Sequence, residues 1–400
     1  MVINRDIFAR NCVSMHHKAQ SLGAGFRAHV KTHKTAEGTR LQLVTSVGQT
    51  DSVVVSTLAE AWGIINSGLT REGTVKDILY GLPVGSNKIA DLSALWDEAA
   101  KDGGVVRLLV DHPKQIQFLE EFEKIRSEPR RWSVFVKVDR GEKRAGIPTT
   151  SQQFKDLLTV LFQSSAVSVH GFYAHGGKAY GSTSLADATS FLSSEAESVN
   201  TAARMALEMF SDSPQRNKHT NPFVLSIGST PTAHAAGENA KIALQEILNG
   251  KLELHAGNYP LLDLQQIHTN LVERSDIAQR VRATVISYYP HRGSDGEDEA
   301  LIDAGALAFS KDTGPSGGYG DVTGLPWQLS RMSQEHGILT RPPNYRDVGA
   351  GVPLEVGQQV EIIGQHACLI AAGYPWYYIV EGKDGEEQVV VDVWVPWKGW

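Results

Sequence analysis

Short runs of β-branched and aromatic residues recur along the first two thirds of the chain, and each is followed by a stretch whose apolar residues return every three or four positions. That alternation predicts repeated βα units around parallel strands. Eight such runs are present: Arg27–Thr32, Ser52–Thr57, Asp77–Pro83, Val105–Asp111, Trp132–Asp139, Ser168–His175, Phe223–Thr230 and Leu252–Tyr259. Helix-like stretches lie between them, including Leu58–Asn66, Ile89–Ala100, Lys114–Ile125, Phe154–Phe162, Ala186–Met209 and Ala236–Leu248, with Ser and Thr at several N-cap positions. Eight units in about 250 residues is the size of a (β/α)8 TIM-type barrel.

After Leu264 the texture changes to alternating runs, Val281–Tyr288, Gln359–Ile363, Trp376–Val380 and Gln388–Trp394, separated by the loops Gly293–Glu299 and Thr313–Gly324. This predicts a smaller antiparallel β domain. The expected boundaries are a barrel over 8–265 and a β domain over 266–400 that also takes in 1–7. Phe210–Asn221 reads as an exposed loop. The chain opens so close to its first helix, Asp6 to Leu22, that little room is left for a leading strand.

Composition narrows the class. Among 400 residues, 38 Lys and Arg against 45 Asp and Glu give a net charge of −7, with no basic arm, so no nucleic-acid partner is expected. Two cysteines, Cys12 and Cys368, are too few for a disulfide framework and suit a reducing, cytoplasmic setting. The most apolar tract, Ala367 to Val380, is broken by Gly373 and Pro375, so no membrane span is expected.

Chemistry in such a barrel gathers at the carboxyl ends of the strands. The first ends in Lys31-Thr32-His33-Lys34, which is either a surface loop with two solvated lysines or an amine presented to the mouth. The seventh ends in Gly228-Ser229-Thr230-Pro231 and runs into a helix, offering backbone N–H groups to an anion. The eighth ends in His255-Ala256-Gly257-Asn258-Tyr259, beside the usual place of a phosphate site. The fifth is followed by Asp139 to Gly146, a solvated charge run or an arginine turned back by glycines. In the sixth, Tyr173 and His175 share a side of the strand. A lysine, an arginine and a phosphate cradle around one mouth suggest pyridoxal phosphate. Gln365-His366-Ala367-Cys368, read on a strand, puts imidazole and thiol on one face; read bare, a buried cysteine beside a loop histidine is the better fit.

The segment Phe26-Arg27-Ala28-His29-Val30-Lys31-Thr32-His33-Lys34-Thr35 resembles the signature Arg-Pro-His-x-Lys-Thr-His-Lys of the D-serine dehydratase and D-threonine aldolase family of fold type III (alanine-racemase-like) pyridoxal phosphate enzymes, with Ala28 in place of proline. Further matches are Val136-Lys137-Val138-Asp139 leading to Arg144-Ala145-Gly146, Gly171 to His175 with Tyr180, Gly228 to Thr232, His255 to Tyr259, and Ile302-Asp303-Ala304-Gly305. Members usually have a Thr-Pro-containing strand before a Val-Ile-Asp-like segment, whereas this sequence starts at Val2-Ile3-Asn4. The resemblance implies a Schiff base at Lys31 and Arg144 near the ring oxygen. It also implies cofactor contacts from Tyr173, Ser229, Thr230, Gly257 and Asn258, with His175 and Tyr180 on the substrate side. His366 and Cys368 become the metal site, and thiolate plus imidazole favours Zn2+.

The activity so implied is dehydration and deamination of D-serine to pyruvate and ammonia by a homodimer. A 3-hydroxy-D-aspartate dehydratase or a D-threonine-type aldolase would use the same scaffold and a similar small D-hydroxy amino acid. A racemase would need a second base and no metal. A non-catalytic pyridoxal phosphate carrier would have the barrel alone.

Overall fold

The computed structural model of the chain describes every residue except 212–215, 217, 245–247, 294–295, 316, 343–352 and 383–388. Two compact units emerge, Cys12–Gly257 with Trp397–Trp400, and Met1–Asn11 with Asn258–Pro396.

The strands are numbered from β1 (Val2–Asn4). The first-named unit is a closed barrel of eight parallel strands: β2 (Gly25–His29), β3 (Ser52–Val55), β4 (Asp77–Pro83), β5 (Val105–Val110), β6 (Trp132–Lys137), β7 (Val167–Tyr173), β8 (Phe223–Ile227) and β9 (Gly250–Ala256), with β9 closing on β2. All eight expected runs are strands. They are near-continuous apolar runs because helices cover their outer faces while the barrel interior takes the inner ones. Inside, Val54, Leu79, Leu109, Phe135 and Tyr173 form one packed cluster. Several strands stop two or three residues before the run does, and those last residues form the turns at the mouth. Thr35, Thr57, Ser151 and Ser184 cap the helices at Ala36–Leu43, Leu58–Asn66, Gln152–Gln163 and Leu185–Phe210 by accepting a backbone N–H.

The interior also holds a polar cluster. Arg27, 1% exposed, grips Glu253 through two nitrogens at 2.9 and 3.1 Å and Asp77 at 2.8 Å. Arg107 reaches Asp77 at 2.7 Å. Burial works against the Asp77 carboxylate, but the two arginines outweigh it and hold its pKa well below the usual range.

The second unit is a sheet of nine strands among the described residues: β1 with β10 (Gln279–Tyr289), β11 (Glu299–Ile302), β12 (Gly320–Val322), β13 (Gln328–Met332), β14 (Gly337–Thr340), β15 (Gln359–Gly364), β16 (Tyr377–Val380) and β17 (Val390–Trp394). Here several expectations are corrected. The three-residue β1 does form, antiparallel to β10 and parallel to β16, because two distant strands supply the ladder that its own length cannot. Part of the expected loop Thr313–Gly324 is β12, paired with β13 and β15. Arg216 and His219, in a segment read as an exposed loop, are buried, 8% and 6% exposed. Gln388, at the head of the last expected strand, parts of the loops at 293–299 and 313–324, and residues 245–247 of the helix expected over Ala236–Leu248 lie outside the described residues, and Leu248 itself is not helical. Trp397–Trp400 group with the barrel rather than with the sheet that precedes them. Among the described residues no helix is long and apolar enough to cross a membrane.

Candidate active site

At the carboxyl ends of the barrel strands a pocket is lined by His29, Lys31, Lys137, Glu142, Arg144, Tyr173 and His175, among others. Four of the site residues expected from the sequence, Lys31, Arg144, Tyr173 and His175, therefore meet there. Lys31 is not the last residue of its strand: β2 ends at His29, and Lys31 stands in the turn that follows. That turn is fastened from several sides. The Thr32 hydroxyl donates to the Gly257 carbonyl at 3.1 Å, and the buried His33 contacts Gln42 Oε1 at 2.8 Å through Nε2. Lys34, at a φ of 55°, pairs with the fully buried Glu60 at 2.9 Å. The backbone N–H of Trp397 donates to the Lys34 carbonyl at 2.7 Å.

The turns after β8 and β9 lie side by side. Gly228 has a φ of 144°, and a Cβ there would run into the His255 carbonyl. A Cβ on Gly257 would come within 3.0 Å of His29 Cβ. Both positions hold backbone close to backbone, as an anion cradle requires. Ser229 caps the single helical turn Thr230–His234 and donates its own N–H to Thr232 Oγ1 at 2.9 Å. Asn258 is grouped with the sheet unit, where its side chain donates to Asp263 at 2.6 Å. Tyr180, in the short helical turn Gly177–Gly181, does not line the pocket.

Three groups to which sequence reasoning gives no role stand out. Lys137, at the end of β6, is buried in the pocket with its Nζ 4.7 Å over the Tyr173 ring. Burial lowers its pKa to about 8, against the pull of Glu195. Glu195, on helix Leu185–Phe210, is fully buried under Gly176, where any Cβ would overlap its carboxylate. Burial raises its pKa to about 8, against the pull of Arg140 and Lys137. His255 stacks on Tyr173 with ring centroids 4.0 Å apart. His175 donates through Nδ1 to the Gly228 carbonyl at 2.9 Å, which leaves Nε2 as its acceptor, and burial holds its pKa well below the usual value.

In the sheet unit, His366 is the N-cap of the helix Ala367–Ala372, so His366 and Cys368 stand at a strand-to-helix turn and not on a strand. The two side chains are nevertheless within hydrogen-bonding reach of each other. Burial opposes charge on the ring, yet Cys368, Asp263 and Asp312 outweigh it and raise the His366 pKa to about 9. Asp312 Oδ2 lies 2.8 Å from Nδ1. A carboxylate on the far nitrogen of a ligating imidazole is the usual way such a ring is oriented. Among the described residues no group of three or more His, Cys, Asp or Glu is placed to hold a metal. The donor set here is one imidazole and one thiol, a pair suited to zinc with positions left for water and substrate.

Residues 3–246 match the family profile “Alanine racemase, N-terminal domain” and residues 278–380 match “Putative serine dehydratase domain”. The chain is 43% identical to a D-serine dehydratase of Schizosaccharomyces pombe, over 100% of this chain and 91% of that one. It is 33% identical to a D-serine dehydratase of Saccharomyces cerevisiae, over 100% and 95%. The solved structure of D-threo-3-hydroxyaspartate dehydratase from Delftia sp. HT23 superimposes with a TM-score of 0.80 at 27% identity, covering 100% of this chain and 97% of that one. With its barrel, its β domain and its lysine turn, the chain belongs to the D-serine dehydratase family of pyridoxal phosphate enzymes with the alanine-racemase-like fold.

Proposed function

We propose that this chain converts D-serine to pyruvate and ammonia, using pyridoxal phosphate and zinc. The observation that carries this reading is the end-to-end match to D-serine dehydratases, which spans both the Lys31 turn and the His366-Ala367-Cys368 turn. Lys31 is the residue to hold pyridoxal phosphate, with Ser229, Thr230, Gly257 and Asn258 at the phosphate, and Tyr173 and Arg144 beside the ring. The pocket fits such a group: it brings a half-buried lysine together with the Tyr173 ring and an arginine, and His29, which also lines it, packs against Gly257. When bound, the cofactor supplies an electron sink for negative charge developing at the substrate's Cα. When bound at His366 and Cys368, zinc supplies Lewis acidity toward an oxygen leaving group.

The remaining work falls to the chain. The Lys31 amine takes the proton from Cα, as a base already within reach of the bound substrate. Arg144 and Lys137 set a positive field in the pocket, which orients the substrate carboxylate. Tyr173, on which His255 stacks, presents its ring to Lys137. His175 is on the substrate side, and Asp312 orients His366.

The same positive field gives a second reading some support, since two cations could take both carboxylates of 3-hydroxy-D-aspartate. Keto-acid release from D-serine, L-serine, D-threonine and D-threo-3-hydroxyaspartate decides the substrate. Turnover of D-serine that exceeds the others supports the main reading, and none from D-serine overturns it. We also propose a homodimer. Closed two-fold pairs are the commonest assemblies, and Trp376, Tyr378, Val391 and Val393 leave an apolar face exposed at the edge of the sheet. A fully active monomer in sedimentation would refute it.

A further inference from the structure

The turn after β6 is a closed loop tied to its neighbour. Asp139 Oδ1 accepts the backbone N–H groups of Gly141, Glu142 and Lys143 at 2.9, 2.8 and 3.2 Å, while Gly141 and Lys143 take positive φ values of 102° and 54°. Farther along, the Gly146 N–H donates to Asp111 Oδ2 at 2.9 Å. The turn is also fastened to the one after β7: Glu142 Oε2 accepts the Lys178 N–H at 3.0 Å, and Lys178 Nζ donates to the Gly141 carbonyl at 2.9 Å. Glu142 Oε1 accepts from Arg140 Nη2 at 3.1 Å. A carboxylate held at both oxygens, on a turn that is itself pinned, does not swing out to solvent, and the Glu142 side chain is only 13% exposed.

This ion pair has a direction. Glu142 lines the pocket together with Lys31, Lys137 and Arg144, whereas Arg140 does not; its guanidinium lies 5.2 Å over the ring of Phe191, on helix Leu185–Phe210. The pocket therefore meets the carboxylate first and its counter-ion behind. Asp139 also stands on this wall, but one of its oxygens is already given to three N–H donors. With Lys31 committed to the cofactor, Lys137 and Arg144 serve one substrate carboxylate, and a second one would stand in the field of Glu142. We propose that Glu142 is the specificity-determining residue of this pocket: its fixed carboxylate repels a second carboxylate on the substrate, so the enzyme takes β-hydroxy D-amino acids with an uncharged side chain and rejects 3-hydroxy-D-aspartate. The proposal rests on the D-serine reading above and narrows it. D-Serine and D-threonine differ by a methyl group and not by charge, so Glu142 does not separate those two.

The test compares kcat/KM of the holoenzyme for D-serine, D-threonine and D-threo-3-hydroxyaspartate. The wild type is expected to favour D-serine over the dicarboxylate by at least about a hundredfold. Glu142→Gln keeps the shape and removes the charge, and should cut that preference by about tenfold to a hundredfold, the effect of one like charge at close range. The D-threonine to D-serine ratio should stay where it was. Glu142→Asp shortens the clamp but keeps the charge, and should retain the preference; Glu142→Ala repeats the charge removal if the glutamine variant fails to fold. Were Glu142 only a fastener of two turns, the variants would lose activity toward all three substrates together, and that result overturns the inference. So does a wild type that takes the dicarboxylate as readily as D-serine. Binding of succinate against propionate, read from the cofactor's absorbance, repeats the comparison without turnover, and Glu142→Gln should gain affinity for succinate alone. If the wild type does not turn over D-serine at all, the reading of function falls, and the binding comparison then decides the role of Glu142 by itself.

Discussion

Asp263 Oδ2 accepts the backbone N–H of Ala367 at 2.8 Å, so a fully buried carboxylate begins the helix that carries Cys368. The same oxygen receives the Asn258 side-chain amide at 2.6 Å, and Oδ1 takes the Gln266 N–H at 3.0 Å. Each contact needs an acceptor. Asp263→Asn would turn an N–H toward at least one of these donors, and an expected loss of about 2–3 kcal/mol in urea unfolding measures the mismatch. A change below a few tenths would mean that the turn is held by other contacts.

The three lysines near the mouth are not equivalent. Lys34 is tied to Glu60 and Lys137 lies over the Tyr173 ring, whereas Lys31, in the turn after β2, is the lysine that the proposal above assigns to the aldehyde. Borohydride reduction of the holoenzyme followed by peptide mapping should place the pyridoxyl label on Lys31. Lys31→Ala should lower pyruvate formation by at least about a hundredfold. A label on Lys34 or Lys137 would require the site to be redrawn.

Removing the metal should separate leaving-group chemistry from cofactor binding. Chelation, or Cys368→Ala, is expected to abolish pyruvate release from D-serine while the cofactor's visible absorbance persists. Asp312→Asn should weaken zinc binding by about tenfold to a hundredfold, because the imidazole loses the carboxylate that orients it. Full turnover in a sample shown by metal analysis to be zinc-free would exclude this role.

Glu195 makes stability depend on pH in a defined direction. Its pKa rises from 4.5 unfolded to about 8 folded, so across that window the folded state holds a proton that the unfolded chain has released. Stability should therefore fall as pH climbs from about 4.5 to about 8 and lose nothing further from this group above that. Glu195→Gln, which keeps the neutral shape, should flatten the slope and be the more stable protein at pH 8, by an amount on the order of a few kcal/mol. Denaturant unfolding at several pH values reads this directly, and parallel slopes for the two proteins would count against a protonated Glu195.

Gly63 faces the indole of Trp397, and a Cβ there would overlap the ring. Gly63→Ala should displace the tail, costing about 1–3 kcal/mol as overpacking usually does. Because Trp397 also bonds to the Lys34 carbonyl, faster amide exchange across residues 31–35 is the finer readout. Unchanged exchange would show that the turn does not depend on the tail.

The eight barrel strands were legible because parallel strands buried on both faces leave uninterrupted β-branched runs, such as Ser52-Val53-Val54-Val55. What sequence reasoning missed depends on partners far along the chain. Val2–Asn4 is too short to read as a strand without knowing that residues 279–280 and 378–380 lie beside it. The His366-to-Cys368 turn was read as a strand because a short apolar run looks alike in both periods; helix-forming Ala367, Leu369, Ala371 and Ala372 were the available signal. Lys137 ends a strand and could have been singled out by the same rule as Lys31. Asp312 and Glu195 carry no local mark at all, since one lies in a loop and the other on a long helix, and only folding brings the first beside His366 and the second under Gly176.

The placement of β1 between β10 and β16 also bears on how the protein is made. During synthesis β1 waits for a neighbour near residue 280 and for another near residue 378, so it stays unpaired until both have been made. Every strand of the barrel emerges in the meantime. The barrel can thus close around its own interior while the sheet is still open at its centre, and the newborn chain passes through a stage with Val2-Ile3-Asn4 and the facing edges of β10 exposed to other chains.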